Sequence, residues 1–421
     1  MKGIKKALIL IVYLVVASYM YYAIQLVPGA IQLGSFNIMY MYLAGMAIIL
    51  VAFVRFLVEP DVARIWLLGK YGIWVMIPML LSVYMALISW VVNLTDFGII
   101  IRGLFGNVYQ IIAVFVAMSS VYLFGSRAVI WNWLALVAAN IYGMVLTISD
   151  VGLSVFFQDM ATVVTSLGGT TSAAMGRMET LGLTYAFGMY MLYYVFCHKK
   201  KNLWDILVIL VSTFFFLMAF KRSASGALAL AVAAGLVLCV LPETACKRTI
   251  TLMGLAMIGG SMAYIWVVRS GLYDVVTVAF NIDTSGRSYV YNNLKPYYDF
   301  SPSFMGLGMG YVTKMLQTGE LNLGINVTDL HNDLLREYVE QGFWSYLLWL
   351  LALFFLRIKL FARRHSRMGI MVFVMTAFLF VLYFSENIYM HYYTNVTVDI
   401  LIMSYLFEDQ VENEKRITPW L

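Results

Sequence analysis

The stretch that decides the fold begins Arg269-Ser270-Gly271-Leu272-Tyr273-Asp274 and ends Tyr338-Val339-Glu340-Gln341-Gly342. It is the longest part of the chain that is too polar for a bilayer, and apolar stretches flank it on both sides. Most of the polar motifs of the chain lie within it. Residues 269–342 are therefore the predicted location of a functional site.

The composition of the rest of the chain is that of an integral membrane protein. Hydrophobic residues make up 62% of the sequence and charged residues 12%, whereas soluble domains have about 45–50% and about 25%. The three cysteines fit neither a disulfide framework nor a metal-binding spacing. The first apolar stretch lacks a small-residue cleavage site and is predicted to be a retained span rather than a signal peptide.

Apolar stretches suited to membrane spans recur along the whole chain. Because a spanning helix needs about 20 largely apolar residues, the sequence predicts an all-α polytopic membrane protein with about twelve transmembrane helices. Residues 1–421 would form a single integral membrane domain. The predicted spans are 7–25, 38–54, 73–92, 104–124, 130–148, 181–197, 203–220, 226–241, 250–268, 343–361, 369–384 and 396–407.

The distribution of Lys and Arg predicts the orientation. Cytoplasmic loops carry an excess of both residues, and about twelve spans with both termini inside place most of the 28 basic residues there. Two external segments follow, 149–180 and 269–342. The first is expected to hold a short interfacial helix and a flexible loop. In the second, Thr328 is a candidate cap for a helix that runs through His331.

Two external arginines are candidates for binding an anion. Arg222 lies at the outer end of a span, next to Lys221 and Ser223, where the free N–H groups of the next helix also favour a negative charge. Arg287 follows Gly286 in the large external segment. The alternatives are an interfacial arginine for Arg222 and a solvated loop arginine for Arg287.

His331 is the candidate general base. A neutral imidazole can accept a proton from a sugar hydroxyl near neutral pH, and the polar residues beside it, Asp329, Asn332 and Asp333, could orient its ring. A structural histidine is the alternative. Arg336, which lies among acidic residues, is predicted to form a surface ion pair.

Other motifs of the external segments limit the chemistry. Tyr289 and Tyr291 belong to a tyrosine-rich stretch whose rings suit sugar stacking. The glycine-spaced run 306–310 lacks the lysine and Ser/Thr of a nucleotide loop and is predicted to be a tight turn. No metal-binding motif is present in these segments, so neither a metal nor a cofactor is predicted.

In their order, spacing and side of the membrane, these motifs resemble the O-antigen ligase and Wzy-type polysaccharide polymerase superfamily. The resemblance rests on Lys221-Arg222-Ser223-Ala224-Ser225-Gly226, Gly286-Arg287-Ser288, Phe304-Met305-Gly306-Leu307-Gly308 and His331-Asn332-Asp333-Leu334-Leu335. It covers about residues 220–349, and the first five spans match only in hydrophobicity. The chain departs from the common pattern in having lysine before Arg222 and Ala224-Ser225 where a threonine–glycine pair is often found.

The resemblance implies a metal-independent glycosyltransferase with a GT-C-like fold and a large helical periplasmic loop. It would lie in the bacterial inner membrane, with its site facing the periplasm. The implied partners are undecaprenyl-pyrophosphate-linked glycans as donor and acceptor, the lipid bilayer and, as a further candidate, a chain-length regulator protein; nucleic acid is not a predicted partner. Arg222 and Arg287 would hold the pyrophosphate, and His331 would engage the acceptor hydroxyl. Lys221, Ser223, Asn332, Tyr289 and Tyr291 are the predicted substrate-binding residues.

Three functions compete on the sequence. A polymerase of lipopolysaccharide or capsule repeat units transfers the growing chain to the next lipid-linked unit, and this is the favoured prediction. A ligase would transfer it to a lipid A core instead. A lipid-linked oligosaccharide flippase or transporter is the third, although transporters tend to have internal repeats and charges at mid-bilayer, and this chain collects its polar residues outside the predicted spans.

Overall fold

A computed structural model of the chain describes residues 2–23, 30–33, 36–92, 96–165, 183–197, 201–218, 221–281, 284, 286–321, 330–362 and 366–417. Helices account for most of these residues. The helices before residue 242 are α1 (Lys2–Tyr22), α2 (Tyr40–Val58), α3 (Val62–Val92), α4 (Phe97–Phe124), α5 (Ala128–Val151), α6 (Leu153–Thr165), α7 (Thr184–Phe196), α8 (Leu203–Met218) and α9 (Arg222–Val240).

The later helices include several short ones within the polar stretch. They are α10 (Glu243–Ser270), α11 (Leu272–Ala279), α12 (Arg287–Leu294), α13 (Tyr311–Gln317), α14 (Asp333–Gln341), α15 (Phe343–Leu350), α16 (Arg357–Ala362), α17 (Ser366–Tyr383) and α18 (Tyr392–Ile417). A π-helical turn, Leu351–Leu356, joins α15 to α16. The described part of segment 269–342 is therefore built from short helices and turns.

The helices confirm the predicted class, a helical membrane protein. Each of the twelve apolar stretches coincides with or overlaps a helix. Among the described residues, six helical segments are long and apolar enough to cross a membrane: Tyr40–Val58, Val62–Val92, Phe97–Val151, Arg222–Val240, Glu243–Ser270 and Phe343–Leu360. Segment Phe97–Val151 contains both α4 and α5. Shorter apolar helices lie at Lys6–Tyr22, Leu153–Thr165, Leu203–Met218 and Arg367–Tyr383.

A short antiparallel hairpin accompanies the helices in the described part of the chain, which is otherwise helical as predicted. Strand β1 (Ala30–Leu33) pairs with β2 (Phe36–Met39), with Ala30 opposite Met39. Two short apolar runs separated by Gly34-Ser35 are a typical hairpin signal. The predicted span 38–54 included the end of β2, and the helix begins instead at Tyr40.

The chain divides into two compact units, each assembled from separate parts of the sequence. The first comprises Met1–Ile73, Ile112–Val232 and Tyr392–Leu421, and the second comprises Trp74–Ile111 and Ala233–His391. Both units contain helices that coincide with predicted membrane spans. That residues 1–421 form a single integral membrane domain stays a prediction.

In the first unit, buried hydrogen bonds connect α1, α5 and α7. The Tyr21 hydroxyl donates to Asn132 Oδ1 at 2.8 Å, and Asn132 Nδ2 donates to the Tyr190 hydroxyl at 2.8 Å. All three residues are fully buried. Such bonds satisfy polar groups that would otherwise destabilise an apolar interior.

In the second unit, α10 packs against α11, the π-helical turn, α16 and α17. Helix α14 contacts α10, α13 and α15, and every one of its nine residues is buried. A ring of aromatic side chains surrounds Tyr338 on this helix, with Phe304 stacked on it at 5.6 Å between ring centroids and Tyr346 edge-on at 5.4 Å.

Helix α14 starts later than the sequence indicated. Its N-cap is Asn332, whose Oδ1 accepts the Leu335 N–H at 2.9 Å. The predicted cap, Thr328, lies outside the described residues. His331 precedes the helix, with a left-handed φ of 49°, so the prediction that the helix runs through His331 is wrong. Asparagine is among the best N-caps because its side chain bonds the free N–H groups of the first turn.

The glycine run 306–310 closes the other end of α14. The N–H groups of Leu307 and Gly308 donate to the carbonyls of Val339 and Glu340, both at 2.9 Å. The last carbonyls of a helix have no partner within it, so this turn satisfies two of them. A Cβ at Gly306, where φ is 83°, would lie 2.5 Å from the Glu340 carbonyl oxygen.

Replacing Gly306 with alanine is expected to destabilise the protein by about 2–5 kcal/mol, because a left-handed alanine costs about 1–2 and overpacking about 1–3. Gly319→Ala is the matched control. Its φ of 73° is also left-handed, but nothing lies within 4 Å of the added Cβ, so only the first cost applies. Unfolding in detergent measures both, and equal losses for the two variants would show that the close approach at Gly306 has no energetic weight.

Candidate active site

His331 is presented to solvent beside a carboxylate that sequence reasoning missed. Its side chain is 54% exposed, and Nδ1 lies 3.9 Å from Oε2 of Glu386, whose side chain is 15% exposed. At this distance the two atoms form an ion pair only when the imidazole is protonated, since a hydrogen bond needs about 3.2 Å or less. The Glu386 carboxylate is thus an ionisable group that the structure places beside the exposed imidazole.

The backbone at His331 is unusual for a residue that bears a side chain. A positive φ occurs in a few per cent of non-glycine residues, with histidine among the enriched types. Such conformations cluster at functional sites, where surrounding structure holds them in place. The conformation therefore adds to the case that the exposed imidazole has a chemical role.

Asn332 is an internal residue. It is 0% exposed, and besides capping α14 it donates through Nδ2 to the Tyr264 hydroxyl and, at 2.9 Å, to the Tyr291 hydroxyl. These bonds fix the residue next to His331. The structure thus argues against the predicted substrate-binding role of Asn332 and favours a positioning role.

The two candidate tyrosines differ in exposure. Tyr291 is 1% exposed and Tyr289 is 50% exposed. Sugar stacking needs an accessible ring face, so burial argues against this role for Tyr291. The role remains a prediction for Tyr289.

Arg287 begins α12, after Gly286, whose φ is 80°. Burial raises the pKa of Tyr291 to about 12, and the Arg287 guanidinium is close enough to lower it in part. Burial likewise raises the pKa of Tyr273, again with Arg287 opposing. Because Tyr291 bonds Asn332, the structure links the Arg287 region to the residue beside His331 within one unit.

Lys221, Arg222 and Ser223 belong to the first unit, at the start of α9. The Lys221 ammonium lies 5.3 Å from the centroid of the Tyr185 ring, and Arg222 is exposed. The sequence placed Arg222 just before a helix opened by Ser223, and the structure makes Arg222 the first residue of that helix, where N–H groups of the first turn favour an anion. Its role in substrate binding stays a prediction.

The ionic network of α14 corrects the prediction for Arg336. Arg336 is 8% exposed, and its Nη2 donates to Asp333 Oδ1 at 2.6 Å and Glu337 Oε1 at 3.3 Å. The ion pair exists, but it is buried rather than on the surface. Sequence reasoning took the high charge of 333–340 as a solvated helix face, because charged residues are seldom fully buried.

Each acidic residue of the network also has a partner outside the helix or at its far end. Oδ2 of Asp333 accepts the backbone N–H of Tyr389 at 2.6 Å, which ties the start of α14 to the segment that contains Glu386. Oε1 of Glu340 accepts the backbone N–H of Val312 at 3.0 Å. Glu337 accepts from Gln341, whose Nε2 also donates to Ser82 at 3.0 Å.

Three carboxylates around one guanidinium leave this buried network with excess negative charge. Burial raises the pKa of Glu340 to about 7, although Arg336 opposes the shift. Burial also raises the pKa of Asp333 and of Glu337. The pKa of Arg336 is raised as well, because its carboxylate neighbours outweigh the opposing effect of burial.

The shifted pKa of Glu340 predicts a pH dependence of stability. A carboxyl group with a raised pKa binds more protons when folded, so stability is full below the unfolded value of 4.5 and is lost as pH rises to about 7. The loss is about 1.4 kcal/mol for each pH unit between the two values. Glu340→Gln removes this titration and keeps a carbonyl oxygen for Val312.

Melting temperatures in detergent between pH 4.5 and 8 test this prediction. The wild type is expected to become less stable towards pH 7, and Glu340→Gln should show a flatter profile. Glu243→Gln is the matched control, since Glu243 is 61% exposed in its pair with Lys247. A Glu340→Gln profile that runs parallel to the wild-type profile would contradict the assignment.

The glycine run 306–310 is a turn, as predicted. Its Leu307 and Gly308 N–H groups bond α14 and are not available to a phosphate. In the described part of the chain, no group of three His, Cys, Asp or Glu residues is placed to hold a metal ion.

Comparison with known proteins adds no assignment. No family model matches the chain, and no curated protein matches it.

Proposed function

We propose that this protein is a polysaccharide polymerase that joins oligosaccharide repeat units linked to undecaprenyl pyrophosphate. The observation that carries the proposal is the exposed His331 imidazole with the Glu386 carboxylate 3.9 Å from its Nδ1. An exposed imidazole can act as a general base toward a sugar hydroxyl, and the carboxylate lies within ion-pair distance of the imidazolium that results.

The reaction is a glycosyl transfer. An acceptor sugar hydroxyl attacks the anomeric carbon of the donor glycan, a new C–O bond forms, and the bond to the pyrophosphate breaks. His331 takes the hydroxyl proton, and the resulting imidazolium faces Glu386. Undecaprenyl pyrophosphate leaves with its bonding electron pair.

Arginines are proposed to stabilise the leaving group. Negative charge develops on the pyrophosphate as its bond to the sugar breaks, and prepositioned cations stabilise that charge most in the transition state. Arg287 belongs to the same unit as His331, and the guanidinium can bind phosphate oxygens through two N–H groups. For Arg222 the role in binding the pyrophosphate stays a prediction, and an Arg222→Ala variant in the transfer assay described below tests it.

The membrane arrangement is part of the proposal. About twelve spans with both termini cytoplasmic would place segment 269–342 at the outer face of the bacterial inner membrane, in a GT-C-like architecture. Both lipid-linked substrates would reach the site from the bilayer.

The test is incubation of the purified protein with an undecaprenyl-pyrophosphate repeat unit in the presence of a chelator, with products separated on a gel. The wild type should yield a ladder. Arg287→Ala should lose about 10²–10³-fold in rate, the usual effect of removing one transition-state donor. Arg248→Ala is the control, because Arg248 is an exposed arginine of the same unit.

The other outcomes separate the competing functions. Transfer only after lipid A core is added would make the protein a ligase. No product with either acceptor, from a substrate that a known polymerase can use, would contradict a glycosyltransferase and favour a lipid-linked oligosaccharide transporter.

A further inference from the structure

A cavity in the first unit lies far along the sequence from the residues proposed for catalysis. Its volume is about 340 Å³, and it is lined by Arg55, Glu59, Pro60, Asp61, Arg64 and Tyr122. These residues come from the end of α2, the turn before α3, the start of α3 and the end of α4. Small-molecule sites usually occupy about 300–1,000 Å³, so the cavity has room for a small polar group.

Both arginines anchor the end of α4 and still line the cavity. Arg55 Nη1 donates to the Leu123 carbonyl, and Arg64 Nη1 donates to the Tyr122 carbonyl at 2.7 Å. Helix-end carbonyls need such partners, which explains why the arginines are held here. Because a guanidinium has five N–H donors, the bonds to these two carbonyls leave other N–H groups of Arg55 and Arg64 for a ligand.

The charges around the cavity are only partly paired. Arg64 Nε lies 3.3 Å from Asp61 Oδ2. Within the described residues, Arg55 and Glu59 form no ion pair with each other or with another side chain. The cavity therefore offers one cation and one anion that a single zwitterionic ligand would neutralise.

The surface next to the cavity is suited to lipid. Leu57, Val58, Val62 and Trp66 are all at least 65% exposed, and tryptophan is typical of the membrane interface. The Trp66 ring faces the Lys70 ammonium, 5.2 Å from its centroid. These side chains place the turn between α2 and α3 at the edge of an apolar region.

A separate and much smaller apolar pocket, of about 10 Å³, includes Leu123, the residue whose carbonyl Arg55 binds. It is lined by Val12, Tyr13, Val16, Ala47, Ile48, Val51 and Leu123. At a rise of 1.5 Å per residue, Ala47 lies about 12 Å from Arg55 along α2. A volume of this size holds about one water molecule, so the acyl chains of a bound lipid would lie on the exposed apolar side chains next to the polar cavity and not in this pocket.

We propose that this cavity binds the headgroup of a zwitterionic phospholipid with a primary ammonium, of the phosphatidylethanolamine type. Arg55 and Arg64 bind the phosphate, Glu59 accepts a hydrogen bond from the ammonium, and the acyl chains lie on the exposed apolar side chains of Leu57, Val58, Val62 and Trp66. The site is independent of the proposed catalytic function.

The test is native mass spectrometry of the purified full-length protein titrated with dioleoyl phosphatidylethanolamine, phosphatidylglycerol or phosphatidylcholine. The ethanolamine lipid should bind most tightly, since phosphatidylglycerol lacks the ammonium and choline cannot donate a hydrogen bond. Arg55→Gln and Glu59→Gln should each weaken ethanolamine-lipid binding at least about tenfold, the effect of losing one charge-assisted hydrogen bond. Glu59→Gln should leave phosphatidylglycerol binding unchanged.

Arg127→Gln and Glu243→Gln are matched controls, both exposed residues outside the cavity, and should bind lipid as the wild type does. The hydrogen bonds of Glu59 with Arg55 and Tyr122 are made by its backbone atoms, so Glu59→Gln keeps them and tests the site even where Arg55→Gln weakens the fold. Equal binding of the three lipids, or unchanged ethanolamine-lipid binding in Glu59→Gln, would overturn the proposal. Glycerophosphoethanolamine has the same headgroup but no acyl chains. If it binds as tightly as dioleoyl phosphatidylethanolamine, the acyl chains make no contact with the protein.

Discussion

Replacing His331 with alanine is expected to reduce glycan transfer about 10²–10⁴-fold, the usual contribution of a general base. The protein should remain folded, because the imidazole is 54% exposed and its Nδ1 is 3.9 Å from the nearest carboxylate oxygen. The measurement is the initial rate of ladder formation, together with the melting temperature in detergent.

Two further variants distinguish the loss of the base from a change in backbone conformation and from the loss of any histidine. His331→Asn loses the base but suits the left-handed backbone at φ 49°, because asparagine tolerates that conformation; it should be as inactive as His331→Ala. His391→Ala removes another histidine of the same unit and should stay active. Wild-type rates in both His331 variants would exclude the residue as the base.

Replacing Arg336 with alanine is expected to destabilise the protein by about 3–5 kcal/mol, the usual cost of removing one partner of a buried ion pair. The cost is large because Asp333 and Glu337, 0% and 1% exposed, would keep their charges in a dry interior or take up protons. Thermal or denaturant unfolding in detergent measures the loss. Arg248→Ala, at an exposed site in the same unit, should unfold as the wild type does.

A combined variant tests the cause of that loss. Arg336→Met together with Asp333→Asn and Glu337→Gln removes the cation and both of its bonded carboxylates, and it should recover part of the stability. The amide introduced by Asp333→Asn would retain an oxygen to accept the Tyr389 N–H. If the triple variant is as unstable as Arg336→Ala, the loss comes from packing of the long side chain and not from charge.

The positions of the helices could be predicted from the sequence, because hydrocarbon imposes a length of about 20 apolar residues on each span. The helix start next to Arg222 and the turn at 306–310 also follow from local patterns, whereas the helix predicted to run through His331 begins only after it. These features depend on residues close together in the chain.

The features that could not be predicted depend on distant residues. Glu386 lies 55 positions after His331, and only the fold brings the two together. Burial of α14 depends on Ser82 and Tyr389, which are 259 and 56 positions from their bonded partners. Glu386 did leave a signal, since it is a lone acidic residue in the short link between the predicted spans 369–384 and 396–407.

The buried polar helix α14 also has a consequence for folding of the chain during its synthesis. During synthesis Asp333 leaves the ribosome before Tyr389, the residue whose N–H it binds, so the network is incomplete until α17 and the segment after it have been translated. Until then its acidic residues must stay hydrated or bound by a chaperone, because the bilayer interior cannot solvate them. Nascent chains stalled or truncated before residue 385 would therefore expose α14 and become substrates for membrane quality-control proteases.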